Sequence, residues 1–290
     1  KLIVYFDSES AIDPSFLERA GCNLEQLMYV QASSVEFVLE TIEELLGATD
    51  EQLVFIWDSL AFTPSISDVE GDFNPQSSMA VKARILAKGM SKLTIPLADK
   101  QATLIVLNQL KTNIPQGPNA RITAMTTPYI TPGGKAMHYS YSLRIWLTGR
   151  KAKSSFVTDD KGFRIGSEVK VKLEKSRFGT QGRSCAFRIL WGTEEIGIRD
   201  EESWFDAIKS SEHLTSAGAW YTLSMPDGYT KKFQPSKWTQ LITTDNEFKA
   251  NVIRLMDEEV VQKFDKREGS ADTFYSDPDD LPLEVAHHPA

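Results

Sequence analysis

The first apolar run of the chain ends in acids. Residues 2–6 (LIVYF) are followed by Asp7 and Glu9, and a turn signal, Asp13-Pro14, comes directly after them. A strand that delivers a carboxylate at its carboxyl end is typical of half of an active site in an α/β protein. The pattern leaves open which reaction uses this carboxylate and where the other half lies.

Two later apolar runs also end in polar side chains. Residues 53–57 are followed by Asp58 and Ser59, and residues 103–107 by Asn108 and Gln109. An acid on a strand tip can hold the Mg²⁺ of a nucleotide through water, because Mg²⁺ keeps most of its hydration shell. A carboxamide can contact a γ-phosphate or orient water. The alternative interpretations are that Asp58 caps the next helix and that the amides bond to the backbone.

The elements between these runs predict how the strand tips are positioned. Helical spacing of apolar residues predicts helices over 35–47 and 79–93, each between two of the apolar runs. Alternation of such helices with nearly continuous apolar strands indicates a parallel sheet covered on both faces. The carboxyl ends of parallel strands meet at one edge, where ligands bind in open α/β sheets.

The pattern changes beyond residue 140. Short alternating runs predict antiparallel strands that extend the same sheet, and the segment 192–203 marks a boundary. After it, the sequence predicts a short helix over 204–210 and a longer one over 245–265. The fold class predicted is α/β, with a large core over 1–195, a small α/β domain over 196–266 and a disordered acidic tail over 267–290.

Charge is distributed unevenly along the chain. The net charge is −8, yet residues 111–190 hold 15 Lys or Arg against 4 Asp or Glu, whereas 269–290 hold five acids and neither Lys nor Arg. A local basic region can bind a phosphate backbone in spite of an acidic average, although a solvated basic surface is the plain alternative. Two long connections, 63–78 and 110–134, follow strand tips, and long loops without secondary structure are usually functional or disordered.

Composition limits the class of protein. No window approaches the ~18 apolar residues of a membrane span, so no membrane partner is expected. Cys22 and Cys185 do not form a disulfide framework, which predicts a reducing cytoplasm. The phosphate-binding motif GxxxxGK[ST] does not occur in the 290 residues. Because Lys1 sits inside a strand, we expect the chain to begin within a domain, with this motif upstream.

Several motifs, in order, resemble one family. These are FDSESAIDPSFLERAGCNLEQL, LVFIWDSLAFTP, DVEGDF, LIVLNQL, TPGGKAMHYSYSLRI, GSEVKVKLEKSR and AGAWY. They are similar to the RecA/UvsX family of bacterial and phage recombinases, over nearly all of residues 1–240. The resemblance implies a RecA-like P-loop NTPase core with a mostly parallel central sheet. It also implies an ATP- and Mg²⁺-dependent DNA recombinase and ATPase that filaments on single-stranded DNA, pairs it with double-stranded DNA and acts in DNA repair. Single-strand-binding and loader proteins would be further partners, in a bacterial or phage-infected cell.

The resemblance also implies roles for individual residues. Glu9 would be the general base, Gln109 the γ-phosphate sensor, and Lys175 and Arg177 the cations that reach a neighbouring subunit's ATP. Nucleotide contacts would come from Asp13, Phe16, Asp58, Ser59 and Trp191, with Asp58 also the metal-binding acid. Two DNA-binding loops, 67–84 and 110–134, would supply Met79, Arg84, Lys111, Arg121, Gly133, Gly134 and Lys135.

The sequence departs from the family at some positions. His138 stands where a Lys is usual, Ser91 where an Arg is usual, and the longer loop carries additional residues such as Pro115. With the phosphate-binding motif expected upstream, we expect these 290 residues alone to lack ATPase activity. Two other interpretations stay open: a hexameric helicase with the same core, and a non-hydrolysing protein that only binds or anneals single-stranded DNA.

Overall fold

The computed structural model describes residues 1–71, 80–114, 117–126, 129–149, 155–179, 181–192 and 196–261. The chain divides into two compact units. The first comprises Lys1–Trp146, Lys172–Arg183 and Thr193–Ile196, and the second comprises Leu147–Val171, Ser184–Gly192 and Gly197–Ala290.

A four-stranded parallel sheet forms the centre of the first unit. Its strands are β1 (Leu2–Asp7), β2 (Leu27–Gln31), β3 (Leu53–Asp58) and β4 (Thr103–Val106), in the order β2-β1-β3-β4. Each neighbouring pair is parallel. The three apolar runs therefore lie side by side and end at one edge, as the sequence predicted.

Helices join these strands. They are α1 (Pro14–Arg19), α2 (Val35–Ala48), α3 (Ile66–Glu70) and α4 (Val81–Asp99). Helix α2 begins where Ser34 accepts the Phe37 backbone N–H, which satisfies one of the free donors of its first turn. Helix α4 runs past the predicted end at residue 93 and contains Pro96, because Leu97 still packs against the core.

The core of the first unit lies between one face of the sheet and helices α2 and α4. Val4, Phe6, Phe55 and Trp57 alternate along β1 and β3 and are fully buried there. Gly89 lets α4 approach α2 closely, because a Cβ at that position would collide with Leu39. On the opposite face of the same strands, side chains are half-buried and include Tyr5 and Asp58.

The segment 110–134, predicted to lack secondary structure, is partly ordered. Strands β5 (Lys111–Thr112) and β6 (Tyr129–Ile130) pair antiparallel, helix α5 (Ala120–Thr126) lies between them, and α6 (Gly134–Ser140) follows. The prediction of a structureless connection was wrong. Strands β5 and β6 have two residues each, which is too short to produce a periodic pattern of apolar residues in the sequence.

A five-stranded sheet follows in the chain. Its strands are β7 (Leu143–Gly149), β8 (Phe156–Thr158), β9 (Arg164–Ser176), β10 (Ser184–Leu190) and β11 (Gly197–Arg199). The order is β11-β10-β9-β7 with β8 beside β9, and the β10–β11 and β8–β9 pairs are antiparallel. Within the described ranges this sheet is separate from the parallel one, so the prediction that these strands extend it was wrong. The strand type was predicted correctly.

The rest of the second unit has its own core. Its elements are α7 (Glu201–Ile208), β12 (Leu214–Ala217), β13 (Trp220–Ser224), β14 (Thr230–Phe233), α8 (Trp238–Thr244) and α9 (Asn246–Met256). Aliphatic and aromatic side chains form this core, with Phe233, Trp238 and Phe248 in mutual contact. The helix predicted over 204–210 begins at Glu201, and the one predicted over 245–265 is α9 followed by a π-helical turn, Asp257–Val261. The predicted tail, 267–290, lies outside the described residues.

Among the helices that the structure describes, none combines the length and the apolar character needed to cross a membrane.

Candidate active site at the carboxyl edge of the parallel sheet

Asp7 and Asp58 end neighbouring strands in register. Asp7 of β1 lies opposite Asp58 of β3, so the two side chains are on the same face at the carboxyl edge. The Leu107 backbone N–H, just beyond β4, donates to the Trp57 carbonyl at 2.9 Å and brings the end of the third strand to this edge. The sheet therefore assembles the three predicted strand tips.

Asp7 has a structural task at this edge. It is buried, and its Oδ1 accepts the backbone N–H groups of Glu9 and Ser10, each at 2.9 Å. Its Oδ2 accepts the hydroxyl of Tyr29 at 3.0 Å. Because both oxygens are occupied, Asp7 fixes the turn that follows β1, and this turn directs Glu9 to solvent.

Glu9 is tied to the tip of β3. Its Oε1 accepts the hydroxyl of Ser59 at 3.1 Å. Ser8 joins the same two tips: its hydroxyl oxygen lies 2.8 Å from the Ser59 backbone nitrogen, which donates to it, and 3.0 Å from the Ser59 carbonyl. Glu9 Oε2 makes no hydrogen bond within the described residues, so an exposed carboxylate oxygen is held in place and free to bind water.

Asp58 is held by a tyrosine that the sequence analysis did not single out. The Tyr5 hydroxyl donates to Asp58 Oδ2 at 2.6 Å. Burial is the first cause that raises the pKa of Tyr5 well above its usual value, and the hydrogen bond to Asp58 is the second. The signal was available, because Tyr5 precedes Asp7 by two residues and must share its face of the sheet.

Lys82 was also not identified from the sequence. It lies in the first turn of α4, and its Nζ donates to the carbonyls of Leu60 and Thr63, both at 2.6 Å. Burial lowers the pKa of Lys82, while Asp68 opposes that shift. The side chain thus fastens the segment after β3, which contains Ser59, to helix α4.

The predicted adenine contacts stand on the short helix after the Glu9 turn. Asp13 is the N-cap of α1, where it accepts the Ser15 backbone N–H at 2.9 Å. Hydrogen bonding to the Ser15 side chain, and then to its backbone, lowers the pKa of Asp13. Phe16 is 43% exposed. A capping role accounts for Asp13 in full, whereas the exposed Phe16 ring offers a surface on which a flat ligand can pack.

The amides at the end of β4 connect the sheet to the next segment. Asn108 donates from Nδ2 to the Pro132 carbonyl at 2.9 Å and accepts the Gln109 backbone N–H at 3.0 Å. Gln109 itself is exposed. The strand tip is thereby linked to the turn that opens helix α6, and Gln109 lies between that link and β5.

The four predicted DNA-binding cations are exposed. Arg84 lies on α4, Lys111 on β5, Arg121 on α5 and Lys135 on α6, whereas Met79 falls outside the described residues. Apolar side chains in the same segment are also exposed, with Ile114 at 83% and Met125 at 77%. Exposed cations beside exposed apolar groups suit a polyanion with unstacked bases.

Gly133 and Gly134 start helix α6 from a left-handed conformation. Their φ angles are 103° and 74°. A Cβ at Gly133 would lie 2.8 Å from Met137 Cγ and 3.3 Å from side-chain atoms of Leu60 and Leu86. The two glycines are therefore required by backbone geometry and packing, a reason independent of any ligand.

Lys175 and Arg177 bind the far end of α6. Lys175 Nζ donates to the carbonyls of His138 and Tyr139 at 2.6 and 3.2 Å, and Arg177 Nη2 donates to the Tyr139 carbonyl at 2.7 Å. These cations satisfy carbonyls that the helix leaves free at its carboxyl end. Burial, then Arg177 and Arg144, lower the pKa of Lys175, so the cluster is rich in positive charge.

His138 belongs to the same cluster. Its Nδ1 lies 3.1 Å from Arg144 Nη1, and burial followed by Arg144 and Lys175 lowers its pKa. Because its pKa is lowered, His138 adds less positive charge to this cluster than a lysine would.

Trp191, the last predicted nucleotide contact, lies in the second unit. The Arg164 guanidinium lies 5.2 Å from its ring centroid and 3.9 Å from that of Phe156. The Trp191 side chain is 41% exposed, so one part of the ring is free to pack against a ligand.

Sequence comparison identifies the family. The family pattern described as the RecA N-terminal domain matches residues 1–197. The chain belongs to the RecA family. Among curated relatives, Protein RecA of Colwellia psychrerythraea is 30% identical over 224 residues, which are 77% of this chain and 59% of that protein. Protein RecA of Leptospira biflexa is 28% identical over 221 residues, covering 76% of this chain and 53% of the relative. The chain thus spans a little over half the length of the RecA proteins it matches.

Membership of the RecA family agrees with the α/β class and the parallel sheet described above. Groups of three or more metal-binding side chains do not occur among the described residues. A single carboxylate such as Asp58 remains suited to Mg²⁺, which is commonly bound by one or two carboxylates and retained waters.

Proposed function

We propose that this protein is an ATP-dependent recombinase that forms filaments on single-stranded DNA and promotes homologous pairing and strand exchange with double-stranded DNA. One observation carries the proposal most directly: Glu9 is held at 3.1 Å by Ser59, which directly follows Asp58 at the carboxyl edge of a parallel sheet. This edge is where open α/β sheets bind ligands. Membership of the RecA family is a second, independent support.

The residues of this chain would divide the work of ATP hydrolysis. Bound Mg²⁺ supplies charge stabilisation at the phosphates. Asp58 would hold that ion through water with the carboxylate oxygen that Tyr5 does not occupy. Glu9 would take a proton from the attacking water at Oε2, the oxygen that has no protein partner in the described residues. Ser59 fixes the angle of the Glu9 carboxylate, and Gln109 would report the state of the site to segment 110–134.

The described residues fit this cofactor in part. Asp58 would supply the acid for the metal ion and Glu9 the base for water, whereas the GxxxxGK[ST] motif that cradles phosphates does not occur in the 290 residues. Asp13 and Phe16 would contact the base. Experiments on hydrolysis therefore use the protein expressed from its complete reading frame.

DNA would bind through segments 67–84 and 110–134. Arg84, Lys111, Arg121 and Lys135 would contact phosphates, and Gly133 and Gly134 would let the backbone approach them closely. The positive balance of residues 111–190 supports this assignment. The exposed apolar groups of the segment would insert between bases of stretched DNA, and Met79 is a further candidate.

Adjacent subunits would share each ATP in the filament. Lys175 and Arg177 would offset phosphoryl charge in the neighbour's site, and Trp191 would be a further nucleotide contact. In a single chain both cations bond to carbonyls of α6, so binding a neighbour's nucleotide would require them to share or exchange these partners. The protein's further partners would be single-strand-binding and loader proteins. It would act in the cytoplasm of a bacterial or phage-infected cell.

The proposed division of labour within the chain follows the sequence boundaries. Residues 1–195 would form the ATPase core, 196–266 a small α/β domain and 267–290 a disordered acidic tail. Because residues 269–290 carry five acids, the tail would compete with DNA for basic surface.

Glu9→Gln tests the proposal. The amide keeps the size of the side chain but cannot accept a proton from water, so DNA-stimulated ATP hydrolysis should fall by about 10²-fold or more. ATP-dependent binding to single-stranded DNA should persist. The matched control is Glu44→Gln on the exposed side of α2, which makes the same charge change away from the edge.

The same assay separates the two alternatives. Hydrolysis by Glu9→Gln within a few-fold of the unaltered protein would remove Glu9 as the base. An unaltered protein that binds single-stranded DNA and never hydrolyses ATP would instead be a binding or annealing protein. In a separate experiment, electron micrographs that show closed rings of six subunits in place of filaments would identify a helicase.

A further inference from the structure

Two tyrosine–aspartate contacts repeat on one face of the parallel sheet. Tyr29 of β2 and Tyr5 of β1 are register partners. Tyr29 donates to Asp7 on β1, and Tyr5 donates to Asp58 on β3. Each tyrosine therefore reaches one strand across and two residues further along, to the aspartate at the carboxyl edge.

The two contacts differ in whether the second carboxylate oxygen of the aspartate is also hydrogen-bonded. The remaining oxygen of Asp7 is filled by two backbone N–H groups. The remaining oxygen of Asp58, Oδ1, has no hydrogen bond in the described part of the chain. Only the Tyr5 contact leaves an acid with one oxygen fixed and the other available.

We propose that Tyr5 is a positioning residue that fixes Asp58 through Oδ2 and so presents Oδ1 to a hydrated divalent cation. This inference rests on the proposed function, since it concerns how the metal-binding acid of that site is aimed. Partners that orient a metal ligand contribute strongly to metal affinity, because a carboxylate that rotates freely loses orientation on binding.

The geometry explains why a tyrosine is needed. Tyr5 lies opposite Ile56 in the β1–β3 register, and Asp58 is two residues beyond Ile56 on the same face. A long, rigid side chain with a donor at its tip spans that diagonal, and the distance of 2.6 Å lies in the range of a charge-assisted hydrogen bond from a hydroxyl to a carboxylate. Phe at position 5 would fill the same space without the donor.

Tyr5→Phe, in the protein expressed from its complete reading frame, is the test, and Tyr29→Phe is its matched control. The readout is binding of a fluorescent, non-hydrolysable ATP analogue as Mg²⁺ is titrated, which does not depend on catalysis. Tyr5→Phe should raise the Mg²⁺ concentration at half-maximal binding by about tenfold or more. Tyr29→Phe should leave it within about twofold, because Asp7 is not offered to the ion.

A double-substitution cycle tests whether Tyr5 acts through Asp58. In an Asp58→Asn background, Tyr5→Phe should have no further effect on the Mg²⁺ midpoint, since the charged carboxylate that Tyr5 orients has been replaced by a neutral amide. Circular dichroism and thermal unfolding check that each variant folds.

The outcomes separate the two proposals. If the unaltered protein requires Mg²⁺ for analogue binding but Tyr5→Phe has the same or a lower midpoint, the role of Tyr5 is refuted and the proposed function stands. If the unaltered protein shows no Mg²⁺-dependent analogue binding, both are refuted. An equal rise in both tyrosine variants would show a general effect of the sheet face and would also overturn the specific role of Tyr5.

Discussion

Replacing Lys82 by Met should loosen the segment that carries Ser59. Met keeps the length and most of the apolar surface of the side chain but removes the ammonium group. The carbonyls of Leu60 and Thr63 then lose a donor at 2.6 Å. Both residues are fully buried, so water cannot readily replace the lost donor, and an unsatisfied buried carbonyl is costly.

The size of the effect follows from these contacts. Hydrogen bonds to charged groups contribute about 1.5–3 kcal/mol each. Removing the ammonium group also removes the cost of half-burying its charge, which offsets part of this loss. We expect the free energy of opening this segment to fall by about 2–3 kcal/mol, which corresponds to an increase of about 30–150-fold in the open population.

Hydrogen exchange measures this opening directly. The amides of Leu60, Phe62 and Thr63 donate to carbonyls of Leu107 and Ser59 and are protected while the segment is closed. Lys82→Met should accelerate their exchange by the factor given above. Lys88→Met, an exposed substitution on the same helix, controls for the loss of a charge. Equal exchange in the two variants would refute the role assigned to Lys82.

Two further predictions concern the subunit junction and pH. If Lys175 and Arg177 act on a neighbour's ATP, mixing a protein with both changed to Ala and a protein with Glu9→Gln should restore ATPase activity, since random mixing completes about a quarter of junctions. A mixture as inactive as its parents, despite shown co-assembly, would exclude the shared site. In the second unit, the hydrogen bond from Lys231 and then the Phe248 backbone N–H lower the pKa of Asp245. Its stabilisation is therefore present above the unfolded pKa near 4 and is lost as pH falls through the folded pKa. Asp245→Asn keeps the N-cap, so at pH 7 it should cost only about 0.5–1 kcal/mol in urea unfolding. That difference should shrink as pH falls below the unfolded pKa near 4 and disappear once pH is below the folded pKa; a difference that does not shrink with falling pH would contradict the assignment.

Apolar runs ending in polar residues were enough to predict the parallel sheet and its edge. The runs that end at Asp7, Asp58 and Asn108 pair in the register needed to bring their tips together. The predicted cover on both faces was not found among the described residues: α2 and α4 pack on one face, whereas the other face of β1 and β3 is half-buried.

Contacts between distant residues could not be predicted in the same way. The Lys82 bonds to Leu60 and Thr63 depend on how α4 crosses the end of β3, which no local pattern encodes. The antiparallel pairing of β5 and β6 depends on a ribbon of two residues per strand, too short for a periodic signal. Tyr5 is the intermediate case, since its face could be predicted but its partner on β3 could not.

Helix α6 is secured at both ends, and this restricts how its sequence can vary. Its first turn packs through Gly133 against Leu60 and Leu86, and its last carbonyls are held by Lys175 and Arg177. Each residue added to a helix turns everything beyond it by about 100° and advances it by about 1.5 Å. A single insertion or deletion within α6 would swing the carbonyls of His138 and Tyr139 away from both cations. Point substitutions are therefore tolerated on its exposed side, whereas its length is fixed.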